Sequence, residues 1–590
     1  MTFAGWFTII AFAVILTLLA MPLGSYMAKV YTGERVFLSP LLGRPERLLY
    51  RLLRAEEAKE QDWKAYAKSL LIFSLAGWLL LYVILRTQNA FFVPHGLNPL
   101  EFHSAPWNVT FNTTSSFVTN TNWQYYGGET TMTYLSQMLG LTVQNFVSAG
   151  VGICVAAALI RGIIGRTGKG IGNFWRDIVR TVLYVLLPIS VLGAIVLVSQ
   201  GVIQNFSSYL TAHTVTGLTQ SIAMGPVASQ EVIKELGTNG GGFFNVNSAH
   251  PFENPTAFTN FFEMLLVLIV PAALVFMYGR MTGNRRQGHA VYGVMMFMFL
   301  GAAIVAYIAE AHGSPAQHAA GLHTGAIHGS TGGNLEGKEQ RFGIAGSALF
   351  DVVTTVTSCG AVNSAIESFT GIGGAVPMAN LSASEVIFGG VGTGLYSMLL
   401  YVLLAVFIGG LMVGRTPEWL GKKLEAREIK LSGLAILITP LAALFATALA
   451  VASHAGRASV SALGKGPQGF SESLYAYLSQ ANNNGSAFAG YTGFIQPNAG
   501  NIGAHGVTFA DVLGGLVMLF ARFGPIVVTL AVAGALAGKR VTPAGLGTMR
   551  TDNTTFAVLL IGVVLLVGAL TFFPALLLGP VVQGLTGHLY

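Results

Sequence analysis

The sequence predicts an all-α polytopic membrane protein. Its fold is ten transmembrane helices: four fused span–pore-loop–span repeats in a pseudo-fourfold arrangement around a pore, plus one extra helix at each end. Three observations carry that prediction. The chain is 53% hydrophobic and 10% charged, against about 25% charged residues in soluble domains, and its mean hydropathy is +0.61. Ten apolar runs are long enough to cross a bilayer. The linkers between them alternate in character along the whole chain.

The runs lie at 3–27, 66–86, 131–160, 174–200, 256–279, 287–311, 383–413, 431–454, 508–537 and 556–580. The stretch from Phe3 to Met21 lacks a basic leader region and reads as a retained first span. One set of linkers is basic: 28–69, 161–180, 280–286, 415–430 and 539–550 hold 25 of the 32 Lys and Arg residues. The other set, 87–130, 202–255, 312–382 and 455–507, is long, rich in Gly, Asn, Ser and Thr, and holds 5 basic and 10 acidic residues. Basic loops stay cytoplasmic, so both termini and the four long linkers are expected on the outer side. There the acidic excess would concentrate cations. The net charge of +7 reflects these basic loops and gives no reason to expect nucleic-acid binding. The two cysteines, Cys154 and Cys359, cannot build a disulfide framework.

Each long linker closes in the same way: a short helical segment, a small polar cluster, then a return into a span. The clusters are SSFVTNTNWQ (115–124), QEVIKELGTNGGG (230–242), FDVVTTVTSCGAVN (350–363) and YAYLSQANNNGSA (475–487). Superposed without gaps, Asn122, Gly240, Gly360 and Gly485 share a column. Thr121, Asn239, Cys359 and Asn484 precede it, after Asn120, Thr238, Ser358 and Asn483. Three glycines and an asparagine point to a shared left-handed backbone position. The repeats then span 66–160, 174–279, 287–413 and 431–537. The first span with its basic loop (1–65) precedes them, and the final span (556–580) follows. Non-helical backbone at membrane depth must be buried or line an aqueous cavity. Four such loops meeting on one axis would offer carbonyl oxygens to a dehydrated monovalent cation.

Several other strings each admit a functional and a simpler reading. Arg522 lies inside the ninth span, where a charge must face the interior or water; the simpler reading is a structural pair with Asp511. The glycines of FGGVGTGLYS (388–397), among them Gly390, Gly392 and Gly394, weaken the seventh span. They mark either a gate below the loops or close helix packing. GRTGKGIG (165–172) lacks the spacing of a phosphate loop. His312, His318, His323 and His328 in the outer insertion 312–333 suit a flexible segment better than a metal site. Glu231 and Lys234 are spaced to pair on the second short helix, and Asp351 reads as lying near the start of the third. With no nucleophile–base pair, nucleotide loop or Asp-Lys-Thr-Gly string, the chain reads as an ion binder and not, by itself, an enzyme.

The strings TNTNWQ, GPVASQEVIKELGTNGGGFFNVNSAHPFENPT, EGKEQRFG with TSCGAVNS, and NNNGSAFAG resemble the KdpA family, the potassium-binding subunits of bacterial Kdp potassium-transporting ATPases. The resemblance covers essentially the whole chain. It implies high-affinity K⁺ uptake across the bacterial inner membrane. It also implies three partners: a P-type ATPase subunit, KdpB, which hydrolyses ATP, an accessory subunit, KdpC, and a small subunit, KdpF. No organic cofactor is implied. The filter strands would be Asn120–Asn122, Thr238–Gly240, Ser358–Gly360 and Asn483–Gly485. Gln124 matches a position just past the first strand that influences affinity, and Arg522 matches an arginine near the inner side of the pore. No strand carries the TVGYG string of potassium channels, so one dominant ion site is expected. A stand-alone K⁺ channel or symporter of the same superfamily is the alternative.

Overall fold

The computed structural model of the chain describes every residue except 56–58, 167, 169, 327–331, 413, 415, 416, 461–465, 492–504, 543–547 and 586–590. Its long helices are α1 (Phe3–Thr32), α2 (Ser39–Leu52), α3 (Trp63–Arg86), α4 (Trp107–Val118), α5 (Ser136–Ile164), α6 (Phe174–Ser199), α7 (Val227–Leu236) and α8 (Ala257–Met281). They continue with α9 (Arg285–His312), α10 (Gly343–Val356), α11 (Gly371–Ser382), α12 (Thr393–Met412), α13 (Ala426–Ala452), α14 (Gly466–Ala481), α15 (His505–Ala537) and α16 (Thr554–Leu576). Among the described residues, ten helical segments are long and apolar enough to cross a membrane, and the protein is a multi-pass membrane protein. Strand content among the described residues is two small hairpins, one pairing Leu210–His213 with Thr219–Ile222.

Helix ends follow local chemistry. The Thr2 side chain accepts from Gly5 N to start α1, and Gly33 at φ +83° stops it. Thr256 and Thr259 form a reciprocal cap on α8. Pro188 in α6 follows a π-helical stretch at Thr181–Leu186, which absorbs the proline's missing donor.

Burial separates centre from rim. The apolar stretch of α5 is 83% buried and that of α8 78%, against 22% in α3, 28% in the last span and 33% in α1. The rim helices present their leucines and phenylalanines outward, as lipid demands. Small residues set the closest crossings. A Cβ at Gly24 of α1 would fall on Ala273 O of α8, and one at Gly162 of α5 on Ala533 of α15. On the side of the basic linkers, Arg161 grips Asp177 through two bonds of 2.6 and 2.9 Å, and Tyr66 OH donates to the same carboxylate at 2.9 Å. There too, Lys422 Nζ donates to Gly162 O (2.9 Å) and Leu536 O (2.6 Å), tying together the ends of two central helices.

Three predicted placements are corrected. The seventh span does not run through 383–413. α11 stops at Ser382, residues 383–392 are non-helical, and α12 starts at Thr393. Five left-handed residues there, Ser384, Glu385, Phe388, Gly389 and Gly392, are incompatible with a continuous helix. Asp351 is not near a helix start, because α10 begins at Gly343 and places it mid-helix. Arg522 does not pair with Asp511, whose carboxylate accepts from Asn108 Nδ2.

Candidate functional site: a ring of four re-entrant loops

Four short helices, α4, α7, α10 and α14, stop inside the protein, and each delivers its last turn to one of the polar clusters. They stop by one mechanism. Thr121 N donates to Ser116 O (2.9 Å), Asn239 N to Lys234 O (2.8 Å), Cys359 N to Thr354 O (3.0 Å) and Asn484 N to Ser479 O (2.8 Å). This six-to-one bond is the signature of a Schellman cap, which requires a left-handed residue just before the donor. That residue is Asn120 (φ +68°), Thr238 (+50°), Ser358 (+52°) or Asn483 (+50°). The expected left-handed glycine column is present at Asn122 (φ +56°), Gly360 (+91°) and Gly485 (+104°) but not at Gly240. In three loops, therefore, the first and third residues of the triplet are left-handed and the middle one is not.

The loops close into a ring in chain order. Asn120 Nδ2 donates to Thr238 O (2.9 Å), joining the first loop to the second. Cys359 Sγ donates to Asn239 O (3.4 Å), and a Cβ at Gly240 would lie 2.7 Å from Cys359 O, so the second abuts the third. A Cβ at Gly360 would fall on Asn484 O, and Asn484 Nδ2 donates to Thr354 O (2.8 Å), joining third to fourth. Asn483 Nδ2 donates to Thr121 Oγ1 (2.9 Å), and a Cβ at Gly485 would fall on Thr121 O, which returns the ring to the first loop. Glycine in the third column is thus required by close approach at all three of its positions. Of the twelve predicted residues, eleven are buried and Gly485 is half-buried.

Buttresses stand behind the ring. From α5, Asn145 Oδ1 accepts from Asn122 Nδ2 (2.5 Å), its carbonyl accepts from Asn239 Nδ2 (3.0 Å), and Ser148 Oγ donates to Asn120 Oδ1 (2.7 Å). Gln124 Nε2 donates to Tyr126 OH and to Gly242 O, both at 3.2 Å, linking the returns of the first two loops. The return after the second loop packs His250 flat on Phe244 with ring centroids 3.7 Å apart. Burial pushes the His250 imidazole below its usual pKa and Arg341 adds to the effect, against Glu253 and Glu339. Its neutral Nδ1 accepts from Phe252 N (3.1 Å).

The gate candidates lie on the other side of the ring. In the 383–392 loop, Val391 N donates to Thr238 Oγ1 (3.0 Å) and Gly389 N to Val356 O (2.8 Å), so the loop sits directly against the second strand and the last turn of α10. A Cβ at Gly390 would lie 3.5 Å from Thr238 Oγ1. One at Gly392 would fall on Gly152 O, and one at Gly394, the second residue of α12, on Phe388 O. Arg522 Nη1 donates to Thr393 Oγ1 (2.8 Å), and its side chain shares a cavity of about 30 Å³ with Glu385, Tyr396 and Asn483.

The KdpA family model, described as potassium-transporting ATPase A subunit, matches residues 10–585. The chain belongs to the KdpA family. It is 53% identical to the potassium-transporting ATPase potassium-binding subunit of Rhodospirillum centenum, covering 99% of this chain and 98% of that protein. It is 52% identical to the protein of the same name from Granulibacter bethesdensis over the full length of both, and 52% identical to that of Rhizobium rhizogenes over 99% of both.

Against this KdpA-family background, some functional candidates were invisible in the sequence. Glu385 carries no pattern, and only its place beside a glycine run gives a hint. The expected Glu231–Lys234 pair is present (2.8 Å), but it belongs to a larger buried cluster with Glu235, Glu253 and Glu263 that spacing alone does not reveal. Asn145 and Ser148 looked like ordinary span residues. The histidines of the outer insertion form no metal-ligating group among the described residues. His318 Nε2 lies 3.1 Å from His312 O, and His328 is outside the described residues.

Proposed function

We propose that the ring is a K⁺ selectivity filter and that the protein binds K⁺ from the outside and passes it to a partner P-type ATPase subunit. In this reading Asn120–Asn122, Thr238–Gly240, Ser358–Gly360 and Asn483–Gly485 supply backbone oxygens to the ion. The loop with Gly390, Gly392 and Gly394 and the Arg522 side chain control its exit. The chain hydrolyses no ATP itself. That step belongs to KdpB, with KdpC and KdpF completing the complex in the bacterial inner membrane. Both termini lie on the outer side, because the basic linkers belong in the cytoplasm.

The observation that carries the reading is the closed circuit of four identically capped loops, each touching the next. In three of the loops left-handed residues flank the middle one on both sides, which turns successive peptide groups in a regular way, and a ring of such strands is what replaces a hydration shell. Full-length relatives named as potassium-binding subunits support K⁺ as the ion.

The test is K⁺-stimulated ATPase activity of the purified complex carrying Gly360→Asp. The new side chain would land on Asn484 O and place a carboxylate in the filter wall. The K⁺ concentration for half-maximal activity should rise at least about tenfold, a change of roughly 1.4 kcal/mol, with the complex still assembled. An assembled variant with wild-type K⁺ dependence would sink the assignment. The stand-alone channel alternative predicts rapid downhill rubidium flux into vesicles holding this chain without its partners.

A further inference from the structure

The second strand departs from the other three at its outer residue. Asn122, Gly360 and Gly485 are left-handed and Gly240 is not. Its carbonyl is occupied: Asn247 Nδ2 donates to Gly240 O at 2.6 Å.

Asn247 is itself held from behind. Its Oδ1 accepts from Lys234 Nζ (2.7 Å) and from Ser248 N (3.0 Å). Lys234 is fully buried and lies 2.8 Å from Glu231 and 3.3 Å from Glu253. The other Glu253 oxygen accepts from Phe244 N (2.9 Å), so the chain from 240 to 253 is wrapped around one ammonium. Gly242 makes the wrap possible, because a Cβ there would lie 2.9 Å from both Asn247 Nδ2 and Glu253 Oε2.

The chemistry of the amide fixes its orientation. An ammonium has donors only, so Lys234 takes the Asn247 oxygen. The amide NH₂ is then left to face Gly240 O. A buried ammonium is costly unless acceptors surround it, so Lys234 holds this arrangement firmly.

We propose that Lys234 and Asn247 are positioning residues that keep the Gly240 carbonyl out of the ion path. The outer ring, at Asn122, Gly240, Gly360 and Gly485, then offers three oxygens instead of four, whereas at the inner ring all four residues, Asn120, Thr238, Ser358 and Asn483, share the left-handed backbone, and the ion is captured there. The proposal rests on the reading of the loops as a K⁺ filter. An outer level missing one quarter of its oxygens replaces the hydration shell incompletely, so K⁺ concentrates at a single site and conduction in file is suppressed.

The assembled complex is the object to test, with Asn247→Asp and Asn247→Ala, by ATPase titration with K⁺ and with Rb⁺. Asp removes the donor to Gly240 O and keeps the shape; Ala removes the whole link. The expected signature is a KM effect. Half-saturating K⁺ rises at least about fivefold, the loss of one hydrogen bond, and Rb⁺ gains on K⁺, with turnover at saturating K⁺ changing less. Assembled variants with wild-type K⁺ titration and ion ranking overturn the proposal. Gly360→Asp separates the two levels: if it also changes nothing, the filter reading has failed, and if it alone acts, only the present proposal has. Should neither Asn247 variant assemble, a density map of the wild-type complex in saturating K⁺ decides. The Gly240 oxygen should sit on the Asn247 amide, with the ion peak at the inner ring. A Gly240 oxygen in direct contact with an ion peak overturns the proposal.

Discussion

Thr238 and Ser358 sit in left-handed backbone at φ +50° and +52°, which costs a non-glycine residue roughly 1–2 kcal/mol. A Thr there is a genuine outlier, since its branched side chain crowds the carbonyl. Both residues are held by caps that also satisfy the last carbonyls of a half-helix, so the strain is imposed by the surrounding structure and concentrated at the site. This explains why sequence reasoning found one left-handed column and missed the other. Glycine advertises its freedom at 360 and 485, and asparagine half-advertises it at 120 and 483; Thr and Ser give no such signal. At the same scale, His250 is expected to make the return after the second loop pH-sensitive. Its folded pKa lies below 6.5, so the unfolded state binds the proton more readily. The stability it contributes is complete above about pH 6.5 and falls as pH drops towards the folded value. Half-saturating K⁺ for the wild-type complex should therefore rise as pH falls from 7.5 towards 6, and less so in His250→Phe, which keeps the stack on Phe244 without a titrating group. Parallel pH profiles in the two proteins would refute this role.

At the scale of elements, the seventh span shows how far a pattern can be read. The glycine run at 388–397 correctly marks a break, because four glycines in six residues cannot sustain a helix. Its extent was not legible. Ser384 and Glu385 look compatible with the end of an apolar run, and only the neighbouring strands force the chain out of helix from 383. The loop's position depends on its backbone coming close to its neighbours, since Val391 N reaches the Thr238 hydroxyl and Gly392 packs against Gly152 O. Gly392→Ala would drive a methyl into that carbonyl at a residue with φ +91°, at a cost of several kcal/mol shared between strain and displacement. On the exit side, this should lower ion-stimulated turnover by about tenfold or more while shifting half-saturating K⁺ by less than about threefold, the reverse of the Gly360→Asp result. Titration of both variants in the same complex checks the division of labour. Equal effects on affinity would mean that the loop belongs to the filter and not to a gate.

For the whole molecule, the ring is nearly symmetric and the supports around it are not. Loops one and two lean on α5, and loop two encloses the buried Lys234. Loop three rests on the broken segment between α11 and α12. The fourfold plan was legible because each repeat must bury a polar cluster of the same length between two apolar runs. The asymmetry was not, because it depends on side chains brought together from distant repeats. The plan fixes which surfaces share a side of the membrane, and this can be tested without the partners' chemistry. Cys154 and Cys359 are both buried, so a single engineered cysteine gives a clean label. Val215, at the exposed tip of the hairpin in the second long linker, and Arg44, exposed on α2 in the first basic linker, lie in linkers of opposite type. In intact spheroplasts, Val215→Cys should react with a membrane-impermeant maleimide, and Arg44→Cys should react only after lysis. The energetic reason is the retention of Lys and Arg on the cytoplasmic side, where 25 of the 32 basic residues are grouped in five linkers. Labelling of Arg44→Cys in intact cells would reverse the orientation and turn the four long linkers inward, which is incompatible with the proposed uptake through this ring.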